Sequence, residues 1–169
     1  MLDDGAFWSP YNINSDLLNA DLVRLLEEYS MLKLLDGDET DHAFSVTGQC
    51  IYGFFRPDGT LYKICQPENT ERKYLKADDY LQGARSLTGY PYLCIGAGLK
   101  DILALKSLKL RVDFVAADSE NNLLSYGDFY KLQQPHQYQA MFTLLDIDKT
   151  GLESMQACQQ RYGLPFGER

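Results

Sequence analysis

The chain has no cysteine pair at CxxC spacing and only two histidines, His42 and His136. Its four cysteines, Cys50, Cys65, Cys94 and Cys158, lie far apart. That excludes an obvious zinc site and suits thiols kept reduced in a cytoplasm. Long hydrophobic runs are absent, and no stretch approaches the length that spans a bilayer. The opening MLDDGAFWSP carries neither a basic n-region nor an apolar h-region, so the expectation is a soluble, cytoplasmic protein with no membrane partner. Positive charge is scarce: 16 Lys and Arg against 24 Asp and Glu give a net charge of −8. Non-specific affinity for polyanions rests on phosphate neutralisation, so this balance argues against a generic nucleic-acid binder and leaves only a locally basic groove open. Neither an internal repeat nor a low-complexity tract is present. What is there, across 169 residues, is 45% hydrophobic and 12% aromatic, enough for a real core.

The chain divides in texture near residue 89. Before it, NSDLLNADLVRLLEEYSMLKLL (14–35) places leucines at helical spacing behind Asn, Ser and Asp caps, which predicts one or two short helices. DGDETD is an acidic break. QCIYGFFRPDGTLYKICQP reads as two strands joined at Arg56–Gly59, and ENTERKYLKADDYLQGARSLTGY is polar and basic. From Tyr90 onward short apolar runs alternate with amphipathic ones: strands at YPYLCIG, RVDFVAAD and AMFTLLD, helices at LKDILALKSLK, YGDFYKLQ and GLESMQACQQRYG. Continuous apolar strands alternating with helices predict a parallel sheet covered on both faces. The expected organisation is an α+β unit over 1–89 and an α/β unit over 90–169.

FTLLDIDKTG (142–151) runs an apolar strand into two aspartates one residue apart, then turns on glycine. Ligands gather at the carboxyl ends of parallel strands, and side-chain alternation lets both acids of a D-x-D point the same way. Hard oxygen donors of this kind suit Mg²⁺. The competing reading is that Asp146 and Asp148 cap the helix that follows. Two other strand ends add IGAGLKD and AADSEN, so Lys100, Asp101, Asp118, Glu120, Asp146 and Asp148 are expected around one crater. For Lys100 and Asp101 the alternative is helix-start chemistry; for Glu120, a solvated loop carboxylate.

CIGAGLKDILALKSL, VDFVAADSEN and FTLLDIDKTGLESMQACQQRYGL together resemble the Toprim domain shared by bacterial and phage primases, topoisomerases and some nucleases. LYKICQPENTERKYLKADDYLQGARSL is similar to the basic subdomain that precedes Toprim in DnaG-type primases. FWSPYNINSDLLNADLVRLLEEY is similar to the helical entry of phage primase cores. The resemblance covers nearly the whole chain. It implies a Toprim-like small parallel sheet flanked by helices, preceded by a primase-type α+β subdomain. It also implies nucleotidyl transfer: synthesis of RNA primers on a single-stranded DNA template from nucleoside triphosphates, in company with a replicative helicase. Asp146 and Asp148, with Asp101 in support, would hold Mg²⁺ or Mn²⁺. Lys63, Arg72, Lys73, Lys76 and Lys100 would contact triphosphate or template, and Tyr74 and Tyr80 would stack on bases.

The family pattern is broken in two places. Ala97 stands where the general acid/base glutamate belongs, and Leu99 where some relatives carry an acid, which makes Glu120 the substitute catalytic acid. The family's last strand and further acidic motif have no counterpart after RYGLPFGER. Two other functions follow from these departures: a catalytically degenerate Toprim module serving as a binding or accessory subunit, and a Toprim nuclease. Phe7, Trp8, Tyr11, Phe54 and Phe55 are assigned to the core rather than to a ligand platform.

Overall fold

A computed structural model of the chain describes residues 5–34, 40–117, 123–136 and 138–164. The chain enters through a single helical turn, α1 (Gly5–Trp8), and a short helix, α2 (Ser15–Ala20). Asn14 caps α2 by accepting from the Leu17 amide at 3.0 Å, as the Asn-Ser-Asp signal predicts. The helix is brief, however. Residues expected to continue it form a strand, β1 (Val23–Leu34), paired antiparallel with β2 (Thr40–Phe55). Non-local pairing along the length of β1 overrides its leucine spacing. The register slips between Leu26 and Glu28 and again between Met31 and Leu32, and these irregularities erase the period-two alternation that marks a strand in sequence. A tight turn at Arg56–Gly59 leads to β3 (Leu61–Cys65). Gly59 supplies the positive φ of 87°. The three-residue strand β4 (Tyr74–Lys76) completes a sheet ordered β1-β2-β3-β4.

The second sheet is parallel, and its helices arrive where the alternating pattern places them. Its strands are β5 (Tyr92–Gly96), β6 (Val112–Ala116) and β7 (Ala140–Leu144), ordered β6-β5-β7. Helices α3 (Leu99–Ser107), α4 (Tyr126–His136) and α5 (Lys149–Tyr162) follow them in turn. Strand alternation sorts the side chains. Cys94, Phe114 and Ala116 share a core with Leu99, Ile102 and Leu103 of α3, whereas Leu93, Ile95 and Val115 pack with Phe129 and Leu132 of α4 and Cys158 of α5. Each large apolar side chain buried in this way contributes about 2 kcal/mol. So α3 covers one face of the parallel sheet and α4 and α5 the other.

The α3 core also takes in Trp8, Tyr52, Phe54 and Tyr62, so α3 lies between the two sheets. Gln82 and the Lys106–Asp21 pair fasten this junction, while Asp113, on the Val115 face of β6, ties down the segments that lead into β5 and β7. Gln82, fully buried, donates from Nε2 to the Ala117 carbonyl (2.8 Å) and accepts the Leu99 amide on Oε1 (2.7 Å), while its backbone pairs with Ala116. Asp113, 3% exposed, accepts from the Thr88 amide and hydroxyl, the Gly89 amide and the Tyr138 hydroxyl. Lys106 of α3 pairs with Asp21 at 2.8 Å, and Ser86 bridges them, donating to Asp21 and accepting from Lys106. No helix among the described residues is long and apolar enough to cross a membrane.

Candidate functional site

The three parallel strands end on one edge, but their connections do not leave it the same way. Gly96 of β5 is in register with Leu144 of β7. From β5 the chain turns at Ala97–Gly98 into α3 on one face; from β7 it turns at 145–148 into α5 on the other. Neighbouring strands whose connections part in this way open a crevice between them, the place where α/β sheets take ligands. Asp146 and Asp148 stand in the second of these turns.

Both aspartates are solvent-exposed, and they hold different positions in the turn. Asp148 is the N-cap of α5: its Oδ1 accepts the Gly151 amide at 2.8 Å. Asp146 lies where the backbone folds back on Gly151. A Cβ built on Gly151 would overlap the Asp146 carbonyl oxygen and approach its carbonyl carbon to 2.9 Å. The D-x-D-x-x-G spacing is therefore a closed turn in which the glycine is a steric requirement, and Ile147 between the acids is 85% exposed. A carboxylate that accepts one N–H keeps acceptor capacity on both oxygens, so capping does not consume Asp148. Two exposed carboxylates are hard donors that fit a cation such as Mg²⁺, which retains several waters. Among the described residues no group of three or more His, Cys, Asp and Glu stands close enough to hold an ion. Glu120, expected as the third acid, and Asp118 beside it lie outside the described residues.

The expected cations divide into groups. Lys63, Lys73 and Lys100 converge on the Cys65–Tyr74 pair, which faces across β3 and β4 in register. Lys63, only 7% exposed, places Nζ 5.0 Å from the centre of the Tyr74 ring. Lys73 lies between Phe7 (5.6 Å) and Tyr74 (6.0 Å), and Lys100 stands over Tyr11 at 4.4 Å. Burial pushes the Cys65 thiol up to about 11, against the opposing pull of a Tyr74 hydrogen bond and the three ammonium groups. It carries no charge at neutral pH. Burial, with Cys65 and Asp101 nearby, raises the Tyr74 phenol strongly. Asp101 ion-pairs with Lys100 at 2.7 Å. Three ammonium groups thus gather beside the Tyr11 and Tyr74 rings of an acidic chain.

Lys76 and Arg72 stand elsewhere. Lys76 pairs with Asp79 and lines a separate cleft. Arg72 bears on Tyr29, whose contacts are with the third core of Ile51 and Ile64. Tyr80 is held against the Tyr62 ring (4.7 Å) and under Arg56 (5.8 Å), whereas the Tyr74 ring is 40% exposed. Trp8 and Phe54 are core, each 1% exposed, but Tyr11 is at the surface and belongs to the lysine cluster. Sequence reasoning passed over Gln82, Asp113 and the Asp21–Ser86–Lys106 bridge. A lone buried Gln or Asp carries no local signal, because its partners are distant in sequence.

No family model matches the chain, and no curated protein matches it.

Proposed function

We propose that the chain is a Toprim-like, primase-type module that binds single-stranded DNA and nucleoside triphosphate and joins nucleotides into short RNA primers. The observation that carries this reading is the closed D-x-D-x-x-G turn at the β5–β7 crevice. The Lys63–Lys73–Lys100 cluster, gathered from β3, the segment before β4 and the first turn of α3, supports it, with Tyr11 and Tyr74 as its aromatic partners. The lysines neutralise phosphates, and the half-exposed rings offer stacking surface to bases.

In the reaction a 3′-hydroxyl attacks the α-phosphorus of the incoming triphosphate. A new P–O bond forms, the bond to the bridging oxygen breaks, pyrophosphate leaves, and the hydroxyl proton passes to Glu120. Asp146 and Asp148 would hold Mg²⁺ or Mn²⁺, which when bound would supply charge neutralisation at the phosphates. Lys63 and Lys73 position the strand, and Lys100, oriented by Asp101 and Tyr11, takes the triphosphate. Positioning and electrostatic complementarity do most of the work in phosphoryl transfer.

A second reading has its own support. Asp148 caps α5, Asp101 is neutralised by Lys100, and Ala97 stands at the position of the family's glutamate. A binding or accessory module in replication needs nothing more than that. The deciding experiment is primer synthesis from labelled ribonucleotides on single-stranded templates with Mg²⁺ or Mn²⁺. Products that fall about 100-fold or more in Asp146→Ala support the enzyme. Full DNA affinity with no product under either metal leaves the accessory module.

A further inference from the structure

The outer edges of the two sheets are guarded, with one exception. The edge of β6 is occupied: Gln82 exchanges two backbone hydrogen bonds with Ala116, and the Thr88 and Gly89 amides donate to the Asp113 side chain. β4 is three residues long and ends on Lys76. β1 carries Arg24, Glu27 and Glu28 and slips register twice against β2. Short strands, charges and irregular pairing are the devices that stop a sheet edge from pairing with another chain.

β7 has none of them. Its sequence, AMFTL, is uncharged and free of proline, and it runs in unbroken parallel register with β5. Among the described residues nothing bonds its backbone on the side away from β5. β5 and β6 each bury four of their five residues, whereas no residue of β7 is buried. Met141 and Phe142 nevertheless pack against the two cores, one on each face, so the strand is anchored. Around its carboxyl end Leu144 is 49% exposed, Ile147 85% and Leu152 38%. Apolar strands of parallel sheets are covered, and a bare one is a template for a further strand.

We propose that β7 pairs antiparallel with β7 of a second copy of the chain, so that one continuous sheet runs through both. Centred on Phe142, the pairing sets Ala140 of each copy opposite Leu144 of the other, small against large, and Met141 opposite Thr143. Charge fixes the direction. The turn after β7 carries Asp146 and Asp148, while Tyr138 and Gln139 before it are uncharged. Antiparallel pairing brings each acidic turn against the Tyr138–Gln139 segment of the other copy. Parallel pairing would set the acids side by side, at a cost. The edge is thus complementary to itself in size and charge, as a two-fold contact requires. Leu144 and Ile147 add the apolar area that so short a ladder lacks alone. The inference is independent of the nucleotidyl-transfer reading.

The test uses sedimentation velocity on the whole chain from about 1 µM to about 100 µM, where a dimer fraction that rises with concentration is expected. Over the same range hydrogen exchange at the amides of residues 140–144 is expected to slow, a readout that needs no substitution. Ala140→Lys with Leu144→Lys sets like charges opposite each other at both ends of the ladder and is expected to weaken the dimer about tenfold. Ala140→Lys with Leu144→Glu sets opposite charges there and is expected to restore it to within about threefold of the parent. Both positions are exposed, and circular dichroism verifies that each variant is folded. A parent that stays monomeric at the highest concentration, with exchange unchanged, overturns the proposal and leaves the edge to an extended segment of another protein. A dimer that tolerates both lysines, or that the lysine–glutamate variant fails to restore, overturns this pairing as well.

Discussion

The carbonyl of Asp146 rests against the α-carbon of Gly151 so closely that no side chain fits between them. The turn that presents both aspartates depends on this contact. Gly151→Ala forces the carbonyl aside or pulls α5 away from β7, an overpacking cost of about 3 kcal/mol. Urea denaturation measures it. A variant within about 0.5 kcal/mol of the parent would show that the turn relaxes freely and that the glycine is incidental.

The two aspartates are separable by experiment because one of them has a capping role. Asp148→Ala removes the cap on the Gly151 amide and lowers stability by about 1 kcal/mol with or without metal. Asp148→Asn keeps a good cap and loses only the charge, so its stability without metal stays near the parent. A rise in melting temperature with millimolar Mg²⁺ in the parent, lost in both Asp148→Asn and Asp146→Asn, identifies metal binding. If Asp148→Asn keeps the full Mg²⁺ response, the role of Asp148 is the cap alone.

Local signals carried much of the second half. The alternation from Tyr90 onward placed all three parallel strands and the helices between them, because each element there announces itself over a short window. β1 was illegible for the opposite reason. Its partners come from β2, and two register slips scramble its alternation. The Lys63–Tyr74 contact was half readable: ERKYLK showed charge beside an aromatic ring, but only the β3–β4 register brings Lys63 to the same place. Tyr11 reaches Lys100 from 89 positions away, and no window detects that. Nor does spacing alone choose between a metal pair and a cap at positions 146 and 148.

The bridge between α2 and α3 predicts a large penalty at one residue and a small one for a pair. The Asp21 side chain is 3% exposed and faces Lys106 and Ser86. Lys106→Met strands a buried carboxylate with a single hydroxyl donor from a side chain and costs about 3 kcal/mol. Asp21→Asn with Lys106→Met leaves no uncompensated charge and recovers part of the loss. Urea midpoints of the four proteins in the double-mutant cycle give the coupling. Additive losses would mean that the pair is not coupled.

Alkaline pH tests the core through its thiols. Burial holds Cys65 up to about 11 and Cys94 up to about 12, from a usual value of 9.0. Both groups are neutral in the folded chain over a range in which the unfolded chain has already ionised them. A raised folded pKa means that the native state binds more protons there, so stability is intact below pH 9 and falls as pH rises from 9 toward 11 or 12. The slope is at most about 1.4 kcal/mol per pH unit for each thiol. Tyr74, raised chiefly by burial, and Tyr138, raised chiefly by burial with Asp113 adding to it, steepen the decline above pH 10. Cys94→Ala lowers stability at pH 8 through the lost sulfur contacts, yet its loss between pH 9 and 11 is shallower than the parent's. Urea unfolding across that window measures both slopes, and parallel slopes would show that Cys94 does not keep its proton in the folded state.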